Sequence, residues 1–160
     1  MIDFYKTINN RMTKIDKMED GCWVNIMTPT EDEIEYLIQD MGLDSGFVRS
    51  SLDEEETSRV EIEEGQTLII VDIPIADKLT ENTLEYYTIP IGIIITAKNV
   101  FTISYKDNAI ISELAGGMVK NVQTHLKTRF LLTILRIATR YLQAQADRQD
   151  FALENSCTSR

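Results

Sequence analysis

Two hydrophobic periods divide this chain. A spacing of two dominates up to Tyr105, interrupted by one helical stretch, and a spacing of three to four dominates after it. Ile2 to Ile15 carries the turn-prone pair Asn9-Asn10 and predicts two short strands about a turn. Gly21 introduces Cys22-Trp23-Val24-Asn25-Ile26-Met27, where β-formers dominate and a strand is expected. Thr28-Pro29-Thr30-Glu31 then predicts a helix start, with Thr28 as N-cap, Pro29 at the first helical position and Glu31 closing a capping box. Asp32 and Glu33 add negative charge where the helix dipole favours it. Ile34, Leu37, Ile38 and Met41 fall on one face of that helix, and Gly42 is suited to end it. Asp44 or Ser45 can cap a second short helix reaching Leu52.

Arg59–Glu63 alternates polar and apolar residues, the pattern of a half-exposed strand, and Gly65-Gln66 predicts the turn after it. Thr67–Pro74 is apolar on both sides apart from Asp72, as in a strand covered on two faces. Glu85–Thr96 is a further strand in which Pro90 calls for an edge position or a bulge. Ala97-Lys98-Asn99 is a tight turn, so Ile91–Tyr105 reads as a hairpin. The remainder is helical, broken at Gly116-Gly117, with one long helix from Lys127 onward. On that helix Arg129, Thr133, Arg136, Arg140, Gln143 and Asp147 form a narrow polar stripe, and apolar residues fill the rest, which predicts cover on most sides. The expected class is therefore α/β: a mixed β-sheet flanked by helices, ending in a long C-terminal helix. The division is residues 1–125 as the α/β domain and 126–160 as the start of a stalk helix packed on it.

Charge changes this picture. Residues 1–100 hold 21 acids against 8 bases, whereas residues 101–160 hold 5 against 8. A surface of that sign repels nucleic acid and anionic lipid and attracts cations. Its simplest use is solubility. Cys22 and Cys157 have no Cys or His neighbours at ligand spacing, and both are expected reduced; His125 stands alone, so no zinc or histidine-rich site is expected. No secretory signal and no run of about 20 apolar residues is present. The chain also lacks a phosphate-binding Gly-rich loop, a dinucleotide fingerprint, a Gly-x-Ser-x-Gly elbow and an EF-hand loop, so no catalytic residues are expected.

The one cluster with ligand chemistry is Asp53-Glu54-Glu55-Glu56. Carboxylate oxygens suit hard cations such as Mg²⁺, which keeps several of its waters when bound. A solvated turn after a helix gives the same run, and Arg59 is placed to pair with one of these carboxylates.

Several stretches, in order, resemble the cytosolic part of CorA-like magnesium transporters. They are Gly21-Cys22-Trp23-Val24-Asn25 and Pro29–Ile34; Ser51–Glu56 running into Arg59-Val60-Glu61; Thr67–Pro74; Tyr87–Ile95; and Thr128–Leu132. The resemblance implies a regulatory domain that senses divalent cations (Mg²⁺, and others such as Co²⁺) and couples them to a pore. It implies a homopentamer with a funnel-shaped cytosolic part, attached to the cell membrane by helices that follow the stalk. The pore signature Gly-Met-Asn is absent from the sequence given, and Gly117-Met118-Val119 is not that motif. In the family the sensed ions lie between neighbouring subunits. One carboxylate comes from the short helix before the acidic run, a position that falls at Ser50 here, and the other comes from the stalk helix. Asp53, Glu54, Glu55 and Glu56 are thus metal candidates by proximity. A subunit-assembly module without metal sensing is the alternative.

Overall fold

The structure, a computed structural model, describes the backbone of residues 1–80 and 83–157 and the side chains of 1–78 and 84–149. Its strands are β1 (Ile2–Ile8), β2 (Arg11–Ile15), β3 (Trp23–Met27), β4 (Arg59–Glu63), β5 (Gln66–Thr80), β6 (Thr83–Ile95) and β7 (Val100–Ser104). Its helices are α1 (Glu31–Gln39), α2 (Ser45–Ser50), α3 (Ala109–Ala115) and α4 (Lys127–Cys157). The seven strands form one sheet in the order β2-β1-β3-β7-β6-β5-β4. All neighbours are antiparallel except β3 and β7, which run parallel at the centre. The class is the mixed, helix-flanked sheet with a long last helix that the sequence predicts.

Period two places alternate side chains on opposite faces. Val24, Ile26, Leu68, Ile70, Ile94, Phe101 and Ile103 face α1 and α2, where they meet Ile34, Leu37, Phe47 and Val48. Trp23, Ile73, Ile75, Ile89, Ile91 and Ile93 face α3 and α4, where they meet Ile110, Ile111, Leu114, Phe130 and Ile134. Trp23 is fully buried, stacked on Tyr5 at 4.8 Å between ring centres and tilted against Phe130 at 5.5 Å. Its indole N–H donates to the Thr102 hydroxyl at 2.8 Å, and that hydroxyl donates to Asn25 Oδ1 at 3.0 Å, so the polar atoms inside the sheet centre are satisfied.

Four local expectations move. The N-cap of α1 is Thr30, with Glu33 as its capping-box partner, rather than Thr28 with Glu31. Thr28 has φ of 42°, and its N–H bonds the Ser104 carbonyl at 2.8 Å, so it belongs to the end of the sheet. The β4–β5 turn is Glu64-Gly65, one residue earlier than expected, because Glu63 pairs with Gln66 and both turn residues have positive φ. The short second helix stops at Ser50, with Ser51 as its C-cap, and does not extend to Leu52. Finally, α4 is buried along one face only: Phe130, Ile134, Ile137 and Ala138 are buried while Leu132 and Leu142 are exposed.

The β5–β6 pairing is longer than the sequence suggests and runs from Thr67↔Ile95 to Thr80↔Thr83. Strand β7 pairs with β6 only over Gly92–Ile95. Pro90 therefore sits where β6 has β5 on one side and no strand on the other, which is the edge position its missing N–H requires.

Candidate functional site

The acidic run is presented by α2 and the turn behind it. Asp44 caps α2 by accepting from the Phe47 N–H at 2.9 Å, and Phe47 and Val48 anchor the helix in the core. Its end is seated on the sheet at Gly92. A Cβ built there would lie 1.9 Å from Ser51 Oγ and 2.3 Å from Ser51 Cβ, so only glycine lets the helix end approach this closely. The buried Ser51 hydroxyl, in turn, donates to the Phe47 carbonyl at 2.7 Å.

From this seat the chain turns through Asp53–Glu56. Asp53 Oδ1 accepts from the Glu55 N–H at 3.0 Å, an Asx-type turn, and the Glu56 N–H reaches the Asp53 carbonyl at 3.2 Å. Asp53, Glu54 and Glu55 are exposed. Glu56 is turned inward: its carboxylate accepts from the Thr57 N–H at 3.1 Å and pairs with Arg59. The Thr57 N–H above all, then the Ser50 hydroxyl and the Arg59 guanidinium, hold the Glu56 carboxyl below its usual range against partial desolvation. Arg59 also bonds Glu61 at 3.2 Å and donates to Ser50 Oγ at 3.2 Å.

The run is thus split. Glu56 is consumed by an internal arginine, and Asp53, Glu54 and Glu55 keep free oxygens. Among the described residues, no three His, Cys, Asp or Glu side chains come together as a metal-ligand set. The described residues therefore do not by themselves make a ligand cage. A hard cation here would be held largely through its waters or by oxygens of another molecule.

A second charged cluster escaped the sequence reading. Asp77 on β5 accepts from Tyr87 Oη of β6 at 2.6 Å and from Lys106 Nζ, just after β7, at 2.5 Å. The ammonium also lies 5.0 Å from the centre of the Tyr87 ring. The Lys106 bond and then the Tyr87 bond push the Asp77 carboxyl down, and the Lys106 ammonium is correspondingly pushed up, by Asp77 first. Both bonds fall on Asp77 Oδ2, so the pair with Lys106 and the Tyr87 hydroxyl tie β5, β6 and the end of β7 together. The available signal was period two: Ile73, Ile75 and Asp77 share a face, so a carboxylate continues an apolar row. Cys22 is buried, accepts from Asn99 Nδ2 at 3.3 Å, and has its thiol pushed up by burial, which makes it inert. The Cys157 side chain lies outside the described residues.

No helix among the described residues is long and apolar enough to cross a membrane. The family model for CorA-like Mg²⁺ transporter protein matches residues 18–149. The soluble domain of CorA from Methanocaldococcus jannaschii is similar at TM-score 0.78 and 24% identity, over 97% of this chain and 62% of that one. The complete CorA magnesium transporter from the same organism is similar at TM-score 0.76 and 21% identity, over 97% of this chain and 49% of that one. The cytoplasmic domain of ZntB from Vibrio parahaemolyticus is similar at TM-score 0.70 and 13% identity, over 96% of this chain and 63% of that one. These identities speak for the fold, and the chain spans about half the length of the complete transporter it matches. No curated protein sequence matches the chain.

Proposed function

Because the chain belongs to the CorA-like Mg²⁺ transporter family, we propose that it is the cytosolic domain of a divalent-cation transporter that senses cytosolic Mg²⁺ and passes the signal to a pore. The parent assembles as a homopentamer at the cell membrane, and Co²⁺ or another divalent ion is an alternative cargo. The observation that carries the sensing role is the position of Asp53, Glu54 and Glu55: exposed, without an ion-pair partner among the described residues, on a turn fixed at both ends by the Gly92 seat and by β4. Acidic surfaces packed side by side repel, and a divalent ion between them offsets the repulsion. Loss of the ion then favours the separated arrangement through differential affinity for the two states.

The experiment uses thermal stability and oligomer size with and without millimolar Mg²⁺, together with charge reversal of Asp53, Glu54 and Glu55 in the full-length transporter. Mg²⁺ should raise the melting temperature or the oligomer size, and the reversal should abolish Mg²⁺ control of transport. If neither occurs, the sensing role fails.

One observation favours the second reading, an assembly module that senses no metal. The Arg59 guanidinium already places a positive charge against Ser50, Glu56 and Glu61. A resident cation of this kind makes a diffusible one unnecessary at that spot. Under this reading Arg59→Gln lowers oligomer size at every Mg²⁺ concentration. Under the sensing reading the variant makes assembly more dependent on Mg²⁺.

A further inference from the structure

The cationic stripe on α4 is exposed and forms one wall of an open groove. A cavity of about 760 Å³ lies between the first turns of α4 and the loop that joins α3 to it. Arg129, Arg136 and Arg140 line it from the helix, and Lys120 lines it from the loop. Its one carboxylate, Glu113, is already taken by Arg140 at 2.5 and 2.6 Å and by the Tyr141 hydroxyl at 3.1 Å. Lys120, Arg129 and Arg136 have no ion-pair partner among the described residues. Three unanswered cations thus surround one cavity in a chain of net charge -10.

Their spacing limits what can answer them. Arg129 and Arg136 are seven residues apart on one helix face, about 10 Å along the axis. A single carboxylate cannot reach both, whereas a chain of linked phosphates can. Guanidinium groups match phosphate oxygens in paired bonds. The cavity size falls within the usual range of about 300–1,000 Å³ for small-molecule sites. Its wall also holds Leu132 and Met118, exposed at 54% and 69%, apolar surface on which a flat ring could rest.

We propose that this cavity binds a polyphosphate anion, either a free phosphate chain or the triphosphate of a nucleotide, on Arg129, Arg136 and Lys120. The site stands apart from the acidic run: α4 packs on one face of the sheet and α2 on the other. Its test therefore leaves the sensing role untouched.

The experiment is isothermal titration of the 160-residue chain with sodium tripolyphosphate and, separately, with ATP, in metal-free buffer at low salt. Saturable one-to-one binding is expected. Arg129→Gln combined with Arg136→Gln should weaken it at least tenfold, and Arg49→Gln, on the opposite face, should leave it within twofold. Should the double variant melt early, Leu132→Asp, which adds a negative charge inside the cavity, should weaken binding to the same degree. Tighter binding of ATP than of tripolyphosphate assigns a nucleotide, and equal binding assigns the phosphate chain alone. Absence of saturable heat with both probes, or equal weakening by Arg49→Gln, overturns the proposal.

Discussion

The two faces of the sheet are closed in different ways. On one, two short helices are each fixed by a side-chain cap, Thr30 for α1 and Asp44 for α2, and are pressed onto the sheet so closely that Gly92 has no room for a methyl group. On the other, most of the cover comes from α4, a 31-residue helix that contributes Phe130, Ile134, Ile137 and Ala138 to the core but leaves Leu132 and Leu142 in the open. Past Tyr141 its described side chains are exposed except the half-buried Gln145. The first face depends on fit at its margins. The second depends on a few large anchors, and the rest of α4 is free to meet something else.

The widest gap between the faces should show at the anchors. Phe130→Ala removes a fully buried ring from against Trp23 and should cost about 3–5 kcal/mol, read by chemical denaturation, whereas Leu132→Ser, two residues on, should stay within about 0.5 kcal/mol. Equal effects would mean that α4 is not one-sided. On the capped face, Gly92→Ala should cost about 1–3 kcal/mol by overpacking. Adding Ser51→Gly should recover part of that loss, since the clash is with the Ser51 side chain; no recovery would place the strain in the backbone instead.

The smallest effect is at the α1 cap, where Thr30→Ala should cost about 1 kcal/mol. Glu33 in the same box adds a pH signature. The N-terminal ammonium first, then the Thr30 N–H, hold its carboxyl below the ordinary 4.5. A lowered folded value means the stabilisation is complete above 4.5 and is lost as pH falls through the folded value. Glu33→Gln should therefore melt earlier than the parent at pH 7, with the gap closing on acidification; a constant gap would remove the charge from the explanation.

Much of this architecture is legible in the residues. Asn9-Asn10 and the alternation after it specify a hairpin, and both turn residues have positive φ as the tight turn requires. Ile34, Leu37 and Ile38 mark the inner face of α1, whereas Met41, expected on the same helix, lies past its C-cap Asp40 and packs against the same core. What was misread depended on distant partners. Thr28-Pro29-Thr30-Glu31 contains two threonines able to cap, and the choice falls to Thr30 because Ser104, 76 residues away from Thr28, claims Thr28 for the sheet. The far part of the β5–β6 pairing carries Asp77 and Lys78, which look like loop until Tyr87 and Lys106 are seen to answer Asp77. The apolar residues of α4 predicted cover on most sides, but composition alone does not tell core from a surface awaiting a partner. For the acidic run the sequence located the charges and the pairing of one with Arg59; that this one is Glu56 is set by the turn geometry.

The parallel junction of β3 with β7 has a consequence for biosynthesis. Trp23 must wait for Val100, its register partner, to be made before the middle of the sheet can be zipped. At about 5–20 residues per second that is a delay on the order of ten seconds, in which the nascent β1–β3 portion leaves the ribosome with an unpaired edge. The lone indole is therefore a clock: its fluorescence should reach the native value late, after the local hairpins have closed.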